Sequence, residues 1–166
     1  MTGNSSADHA PAMSPRPTPF EAGAWSIPHP QPFVCDVCVT AAQLSRTIEH
    51  VSNIEYVRWL DRAAELHADH LGYTRAELRK GGIMWFVARH EIDYLAEAFL
   101  GDELVVATWV RNVKKVKSWR DYVIVRPADG TIICRAATLW VLIDLETRKP
   151  LRMTSEMIER FQPLES

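Results

Sequence analysis

The sequence has no long apolar run, no excess of charge of either sign and few cysteines. No apolar stretch approaches the roughly 20 residues that span a bilayer, and the N-terminus has neither the basic nor the apolar region of a secretory signal. The 166 residues include 19 Lys and Arg against 21 Asp and Glu, a formal net charge of -2. Because this balance gives no general attraction to nucleic acid or to an anionic membrane, any anion must be bound by a local patch.

The three cysteines are Cys35, Cys38 and Cys134. An odd number without a signal sequence predicts reduced thiols and a cytoplasmic location. The C-D-V-C spacing could supply half of a zinc site or a redox pair, but no second pair exists and the segment has the composition of a strand. We therefore interpret the thiols as structural or inert, and we expect no metal.

The length is that of one domain with a sizeable core. Residues 1–30 are rich in Pro, Ser and Ala and show no hydrophobic period. This composition predicts a disordered or loosely packed N-terminal arm. Residues 31–166 are then predicted to form a single domain.

The most regular pattern lies in residues 49–72 and predicts one long helix. Ser52 or Asn53 can cap its first turn, and Gly72 supplies the stop. Apolar residues recur between them at helical spacings, namely Ile54, Tyr56, Val57, Trp59, Leu60, Ala63, Ala64 and Leu71.

Alternating or β-branched segments predict about five strands. We place the strands at 33–42, 83–95, 103–113, 119–126 and 131–144, with a short helix at 74–80 and a terminal helix or turn at 151–161. The short links between the last four strands predict an antiparallel meander. The nearly continuous apolar run of the last strand predicts burial on both faces in the middle of the sheet.

One long helix against about five strands is an α+β layer. A single helix cannot cover both faces of a long sheet, and Trp85 and Val87 are among the large apolar residues on the face left over. This apolar surface predicts a partner subunit.

Four short motifs follow one another within residues 33–162. They are H-V-S-N-I-E-Y, starting at His50, then R-W-L-D-R-A-A, I-D-Y-L-A-E-A-F-L-G-D-E-L-V-V and A-A-T-L-W-V-L-I-D-L-E-T-R-K-P-L-R. Together they resemble the hot-dog-fold thioesterase superfamily, in particular its 4-hydroxybenzoyl-CoA and acyl-carrier-protein thioesterase branch, which often shows G-H-V-N-N-x-x-Y at the first motif. The resemblance implies a hot-dog fold, in which an antiparallel sheet wraps a long central helix. It also implies a homodimer or homotetramer that binds acyl thioesters at the subunit boundary, with CoA or phosphopantetheine present only as part of the substrate.

The start of the long helix is the predicted carbonyl-binding corner. The first N–H groups of a helix have no partner within it, so they can bind an oxygen on which negative charge develops. By resemblance, the N–H near Asn53 polarises the thioester carbonyl, Ser52 and Tyr56 border the substrate, and His50 orients a water or the thioester. The alternative is that Ser52 and Asn53 only cap the helix and that His50 ties the loop to it.

The carboxylate of the site departs from the family pattern. Many relatives have a catalytic Asp four residues before the His of this motif, where the present chain has Arg46, and Glu49 replaces the Gly next to that His. Arg46 and Glu49 are therefore expected beside the substrate, with the usual acid missing. A second branch of the family places its carboxylate on the helix at the spacing of Asp61, eight residues after Asn53, which makes Asp61 the first candidate for nucleophile or base.

Asp61 has competing interpretations. It could instead be an exposed ion-pair partner of Arg58 or Arg62 on the same helix. Glu65, one turn further along, and Glu49 are the other available carboxylates, although both are more typical of surface charges.

A basic stretch around the third and fourth predicted strands carries Arg111, Lys114, Lys115, Lys117 and Arg120. The phosphates of CoA or the acidic surface of a carrier protein would suit it. An edge hairpin protected from aggregation by lysines is the alternative. No groove motif or aromatic platform accompanies the charge, so we expect neither nucleic acid nor a membrane as partner.

Three histidines lie outside these motifs. His67 and His70 are three apart on the helix, where solvated side chains are a better interpretation than metal ligands. His90 falls on the apolar face of a strand and is interpreted as a core or interface histidine.

Taken together, the sequence predicts an acyl-thioester hydrolase that acts on acyl-CoA or acyl-carrier-protein substrates, through an attacking water or an acyl-enzyme. A non-catalytic hot-dog dimer that binds acyl groups or a partner protein is the alternative, and Arg46 at the usual Asp position favours it.

Overall fold

A computed structural model describes residues 13–17 and 20–165 of the chain. Its helices and strands are β1 (Met13–Pro15), β2 (Phe33–Cys38), α1 (Asn53–His70), α2 (Arg75–Lys80), β3 (Ile83–Tyr94), β4 (Glu103–Lys114), β5 (Lys117–Arg126), β6 (Thr131–Asp144) and α3 (Ser155–Phe161). The six strands of this part of the chain form one antiparallel sheet in the order β1-β2-β4-β5-β6-β3. The predicted α+β hot-dog architecture is confirmed, with six strands rather than about five because β1 adds a short strand.

Helix α1 packs one apolar stripe onto the concave face of the sheet. Its buried apolar residues are Tyr56, Trp59, Leu60, Ala63 and Ala64, and the first four belong to a core that includes residues of β2, β4, β5 and β6. The spacing of three and four residues within this set is the reason that a single face is buried. Ile54, which was predicted in the stripe, is 63% exposed and does not belong to it.

Helix α1 ends just before the glycine that was predicted to stop it. Gly72 has a φ of +86°, in the left-handed region that favours glycine, and the Tyr73 N–H donates to the Ala68 carbonyl at 2.8 Å. Thr74 caps α2 by accepting a hydrogen bond from the Glu77 N–H at 3.2 Å. These two motifs turn the chain sharply from α1 into β3.

The predicted meander of four strands is wrong for β3. β4, β5 and β6 follow one another as neighbours, but β3 pairs with β6 and not with β4. Residues 95–102 carry the chain past three strand spacings, about 14 Å, which eight residues span with room to spare. Ala98 anchors this connecting segment to the domain. Its side chain is fully buried, and its carbonyl accepts a hydrogen bond from the Val51 N–H.

Strand β6 was predicted in the middle of the sheet with both faces buried, but it lies between β5 and the edge strand β3 and is not the most buried strand. β4 has the longest buried run, whereas many β6 side chains are only half buried. Helix α1 lies mainly over β1, β2 and β4 and reaches only the first part of β6, so β3 and the rest of β6 extend beyond its cover. A break in register between Val87 and Arg89 also interrupts the face alternation predicted along β3.

The chain itself covers part of the outer face of the sheet, which was expected to need a partner. Phe20, Trp25 and Ile27 pack against residues of β4 and β5 on that face. The segment is also tied by polar contacts: Arg16 to Asp36 in β2 at 2.6 Å, His29 to the Gln162 carbonyl at 2.9 Å, and Arg135 to the Trp25 carbonyl at 3.3 Å.

The predicted N-terminal arm, residues 1–30, falls partly outside the described residues. Its described part, 13–17 and 20–30, packs onto the domain through β1 and the contacts above. The domain boundary at residue 30 stays a prediction. None of the helices in the described part of the chain is both long and apolar enough to cross a bilayer.

Replacing Ile27 by Ala tests whether the segment is part of the folded domain. Ile27 is 6% exposed against the outer face, so the loss of its buried methyl groups should lower the free energy of unfolding by about 2–3 kcal/mol. Ile48→Ala, at a side chain that is 58% exposed, should change it by less than about 0.5 kcal/mol. Urea unfolding followed by circular dichroism measures both variants, and equal losses would mean that the segment adds nothing to the fold.

Candidate functional site

The first turn of α1 presents an open backbone N–H group. Ser52 occupies the N-cap position, but its side chain makes no capping hydrogen bond. The Ser52 carbonyl accepts from the Glu55 N–H at 2.9 Å, while the Asn53 N–H has no acceptor among the described residues. The corner therefore keeps a free donor at the positive end of a helix, where an oxygen with developing charge is stabilised.

A small hollow of about 220 Å³ opens at this corner. His50, Asn53 and Tyr56, all predicted site residues, line it together with Tyr94 and Glu97. The His50 Nδ1 lies 2.9 Å from the Glu97 carboxylate, and the Tyr94 hydroxyl donates to the Asn53 carbonyl at 3.4 Å. Tyr56 is buried edge-on against Tyr94, and burial raises the pKa of its hydroxyl to about 12, so that the group stays neutral.

Ser52, Arg46 and Glu49 were also predicted at the start of α1, but not all of them lie there. Ser52 is half buried directly before the helix, whereas Arg46 and Glu49 are exposed in the preceding loop. Neither Arg46 nor Glu49 lines the hollow.

Asp61 lies on the wall of a second, larger cavity of about 490 Å³. Its carboxylate accepts a hydrogen bond from the Arg75 Nη2 at 3.0 Å. The pairing suggested with Arg58 or Arg62 is wrong, because Arg58 pairs with Glu55 and Arg62 with Glu65. Glu65 shares the same wall and forms an ion pair with Arg75, with 2.9 Å between the Arg75 Nε and the Glu65 Oε1.

Asn53 and Asp61 are separated along the helix axis. At 1.5 Å per residue, their backbones lie about 12 Å apart. A single thioester carbon cannot therefore meet the open N–H and the carboxylate of the same chain.

The walls of the larger cavity are mostly apolar. α1, α2, β3, β6 and α3 all contribute, through side chains that include Leu78, Met84, Trp85, Phe86, Trp140, Met153 and Phe161. The floor comes from β5, where Ser118 and Arg120 point to the same side of the strand. Trp85 and Val87, which were predicted to lie on a surface that contacts a partner subunit, lie on the wall of this cavity.

Arg120 was predicted to bind the substrate as part of the basic stretch, but the structure separates it from the lysines of that stretch. Its side chain is buried, and its Nη1 donates to the Thr108 Oγ1 at 3.2 Å and to the His67 Nδ1 at 2.9 Å. The alternation along β5 could have revealed this, since Arg120 shares its face with Tyr122 and Ile124, which are core residues. Arg111 forms an ion pair with Asp121 at 3.3 Å. The exposed positive charge of the basic stretch is therefore limited to its lysines.

Lys114, Lys115 and Lys117 remain exposed around the turn between β4 and β5. They form a compact positive patch, which we call the lysine turn. Its charge suits phosphate groups or an acidic protein surface.

His67 was interpreted as solvated, and this is also wrong. Its ring stacks on Phe33 at 4.9 Å and meets Phe161 edge-on at 5.6 Å. Burial, and then the neighbouring Arg120, lowers the pKa of His67 to about 2, so the ring is neutral and its Nδ1 accepts a hydrogen bond from the guanidinium. His90, as interpreted, is satisfied within the sheet, 2.9 Å from the Thr138 Oγ1.

The cysteines are free thiols. Cys35 and Cys134 are buried, which raises the pKa of each thiol to about 12, while Cys38 is exposed. Within residues 13–17 and 20–165, no group of His, Cys, Asp and Glu is arranged to hold a metal ion.

The family model of the thioesterase-like superfamily matches residues 39–161. The chain therefore belongs to this superfamily. Oleoyl-acyl carrier protein thioesterase 2 of Arabidopsis thaliana, a chloroplastic protein, is 26% identical over 121 residues, which cover 69% of this chain and 32% of that protein. The match thus spans about a third of the length of that protein and of oleoyl-acyl carrier protein thioesterase 1 from the same organism.

Solved structures share the fold at low identity. A 1,4-dihydroxy-2-naphthoyl-CoA thioesterase from Synechocystis superposes with a TM-score of 0.73 at 20% identity, over 81% of this chain and 98% of that one. An acyl-ACP thioesterase from Bacteroides thetaiotaomicron superposes with a TM-score of 0.66 at 23% identity, over 72% of this chain and 49% of that one. These likenesses show the same helix and sheet arrangement.

The neutral ring of His67, packed against Phe33 and Phe161, makes stability depend on pH. The unfolded chain takes up a proton on this ring near pH 6.5, whereas the folded chain does so only near pH 2. The neutral ring therefore makes its full contribution to the free energy of unfolding above pH 6.5. As the pH falls from 6.5 toward 2, this contribution is lost by about 1 kcal/mol per pH unit.

His67→Gln, which keeps an acceptor for Arg120, should flatten the decline of unfolding free energy between pH 6 and 4. His70→Gln, at an exposed ring on the same helix, is the matched control and should leave the slope unchanged. Urea unfolding at several pH values gives both slopes, and an unaltered slope in His67→Gln would contradict the assignment.

Proposed function

We propose that this chain hydrolyses acyl thioesters, with CoA or an acyl carrier protein as the thiol. The observation that carries the proposal is the open Asn53 N–H at the start of α1, beside the hollow lined by His50 and Tyr56. Membership of the thioesterase-like superfamily supports the reaction class. The names of the similar proteins, which include acyl-carrier-protein and CoA thioesterases, support both thiol carriers.

The thioester carbonyl oxygen accepts a hydrogen bond from the Asn53 N–H. As a nucleophile attacks, negative charge grows on this oxygen, and the donor together with the positive helix end stabilises it. The His50 and Glu97 pair beside the hollow orients the attacking water or the thioester.

Asp61 supplies the carboxylate. Acting as base, it takes a proton from a water whose oxygen attacks the carbonyl carbon; the C–S bond then breaks and the thiolate leaves with a proton. Acting as nucleophile, it forms an acyl-enzyme anhydride that water hydrolyses in a second step. Both routes give the free acid and the free thiol.

Because Asn53 and Asp61 of one chain lie too far apart, the site needs two copies. β3 is an edge strand, paired only with β6 among the described strands, and it exposes Phe86, Val87 and Tyr94. Joining two β3 edges antiparallel about a twofold axis makes the two α1 helices antiparallel. The start of one helix then lies near the middle of the other, where Asp61 is.

A homodimer is favoured over a tetramer stacked through the outer face, because residues 20–27 already cover part of that face. Further exposed apolar residues near the start of α1 extend the dimer surface, namely Ile54, Leu95, Phe99 and Leu100. The lysine turn is assigned to the phosphates of CoA or to an acidic carrier protein. Arg46 and Glu49 stay predicted substrate neighbours that a second copy would have to bring to the site.

A non-catalytic acyl-binding dimer is the second candidate. It is favoured by Arg46 at the position where many relatives have an Asp, and by the existing ion pair of Asp61 with Arg75. Saturable binding of acyl-CoA without release of thiol would decide for it.

Asp61→Asn tests the carboxylate. Loss of the base or nucleophile should lower kcat about 100-fold or more, with the melting temperature retained since Asp61 is exposed at the cavity wall. Glu65→Gln removes a carboxylate from the same wall and the same Arg75, and should change kcat less than about 5-fold. Thiol release from an acyl-CoA panel is the measurement, and full activity in Asp61→Asn would refute the role.

Asn53→Pro removes the proposed donor without disturbing the helix. Proline is favoured at the first helical position, and Ser52 already has an extended ψ of 140° that suits a following proline. Loss of one oxyanion donor should lower kcat by about 100- to 1,000-fold. Asn53→Ala, which keeps the N–H, is the control and should remain active.

Mixing the two inactive variants tests the shared site. If Asn53 and Asp61 act across the dimer, an Asn53→Pro chain refolded with an equal amount of Asp61→Asn chain forms hybrid dimers with one intact site. Half of the dimers are then hybrids, and about a quarter of wild-type activity should return. No recovery, although hybrids form, would place both residues in one chain's site.

A further inference from the structure

The floor of the larger cavity contains a buried cation without a counter-ion. Arg120 is 5% exposed, and no carboxylate of the described residues lies within 4 Å of its guanidinium. Its partners are neutral: the Thr108 hydroxyl and the His67 ring. Because a buried charge is costly unless it is paired, such an arginine indicates a site for an anion.

The arginine is held rigidly. Two hydrogen bonds fix its Nη1, and the ring of Phe161 lies 5.7 Å from its central carbon in a cation–π contact. Thr108 is itself fixed, because its hydroxyl donates to the Asp121 carbonyl at 2.9 Å. The Nε and Nη2 groups make no hydrogen bond within the described residues, and Arg120 lines the cavity.

The rest of the cavity suits a chain that is apolar along its length. Aromatic and aliphatic side chains form most of its walls. The carboxylates on the α1 wall are Asp61, Glu65 and Asp69, and Arg75 pairs with the first two. Asp69 is more readily protonated than usual, because burial and the nearby Glu65 raise its pKa.

We propose that this cavity accepts an acyl group whose far end carries a carboxylate, with Arg120 as the counter-ion of that carboxylate. The inference rests on the proposed function, in which the thioester carbon lies next to Asp61 on the cavity wall and the acyl chain extends inward. A guanidinium with two unused N–H groups matches the two oxygens of a carboxylate.

The phosphates of CoA fit this position less well. They carry several charges that need many donors, while the cavity offers one buried guanidinium among apolar walls. The exposed lysine turn suits them better. The experiment below distinguishes an acyl carboxylate from a CoA phosphate at Arg120, because loss of a phosphate contact would affect every CoA ester alike.

The test compares adipoyl-CoA with hexanoyl-CoA, which have the same number of acyl carbons and differ in the terminal carboxylate. Thiol release from the wild-type protein should show a kcat/KM for adipoyl-CoA about 10- to 100-fold higher. Arg120→Met should reduce this ratio to one or below, because it leaves the carboxylate buried without a partner. Arg79→Met, at an exposed arginine of α2, is the matched control and should keep the wild-type ratio.

Equal rates for the two esters in the wild type, or an unchanged ratio in a folded Arg120→Met variant, would overturn the proposal. Equal slowing of both esters by Arg120→Met would assign the residue to the CoA phosphates and overturn it as well. If Arg120→Met fails to fold, the proposal is judged by the wild-type ratio of kcat/KM for adipoyl-CoA to that for hexanoyl-CoA.

A binding measurement keeps this inference separate from the proposed reaction. Hexanoate should raise the melting temperature of the wild-type protein more than 1-hexanol does, and Arg120→Met should abolish the difference. If no ester releases thiol, the proposed function fails while this comparison still tests the anion site. Equal shifts by the acid and the alcohol would reject the site.

Discussion

The packing of α1 onto the sheet is the contact on which the rest of the structure depends. Trp59, Leu60 and Ala63 are fully buried against core side chains such as Val106 and Ile124. Burial of this stripe fixes both the position and the rotation of the helix. The open N–H at its first turn and the carboxylates along its flank are therefore set in place by apolar packing, although none of them belongs to the core.

The same packing leaves room for the larger cavity. α1 lies mainly over β1, β2 and β4 and reaches only the first part of β6, so β3 and the rest of β6 lie beyond it, and α2 and α3 close the space only partly. The cavity thus lies where the sheet is wider than its helix. Its polar floor follows from β5, which turns Ser118 and Arg120 toward the same side that carries Tyr122 into the core.

Much of the fold followed from local patterns in the sequence. The bounds of β3 to β6, the glycine stop at Gly72 and the cap at Thr74 agree closely with the structure, whereas β2 ends four residues earlier than predicted. The hot-dog architecture also followed, through four motifs in order. For the site, the corner at His50, Asn53 and Tyr56 came together as predicted, while the family's acid position, Arg46, lies exposed outside it. The roles of these residues in a reaction stay predictions.

The helices and strands follow from the sequence alone, because helical and strand periods depend on residues a few positions apart. The sequence also brings His50, Asn53 and Tyr56 together at the start of α1, since they are near in the chain, whereas Tyr94 and Glu97 reach this corner through the fold. The tertiary structure alone sets the pairing of β3 with β6, because a link of eight residues permits either neighbour. It likewise decided that Arg120 lies buried beside His67 rather than among the exposed lysines, because the burial of a charged side chain depends on what distant segments pack around it.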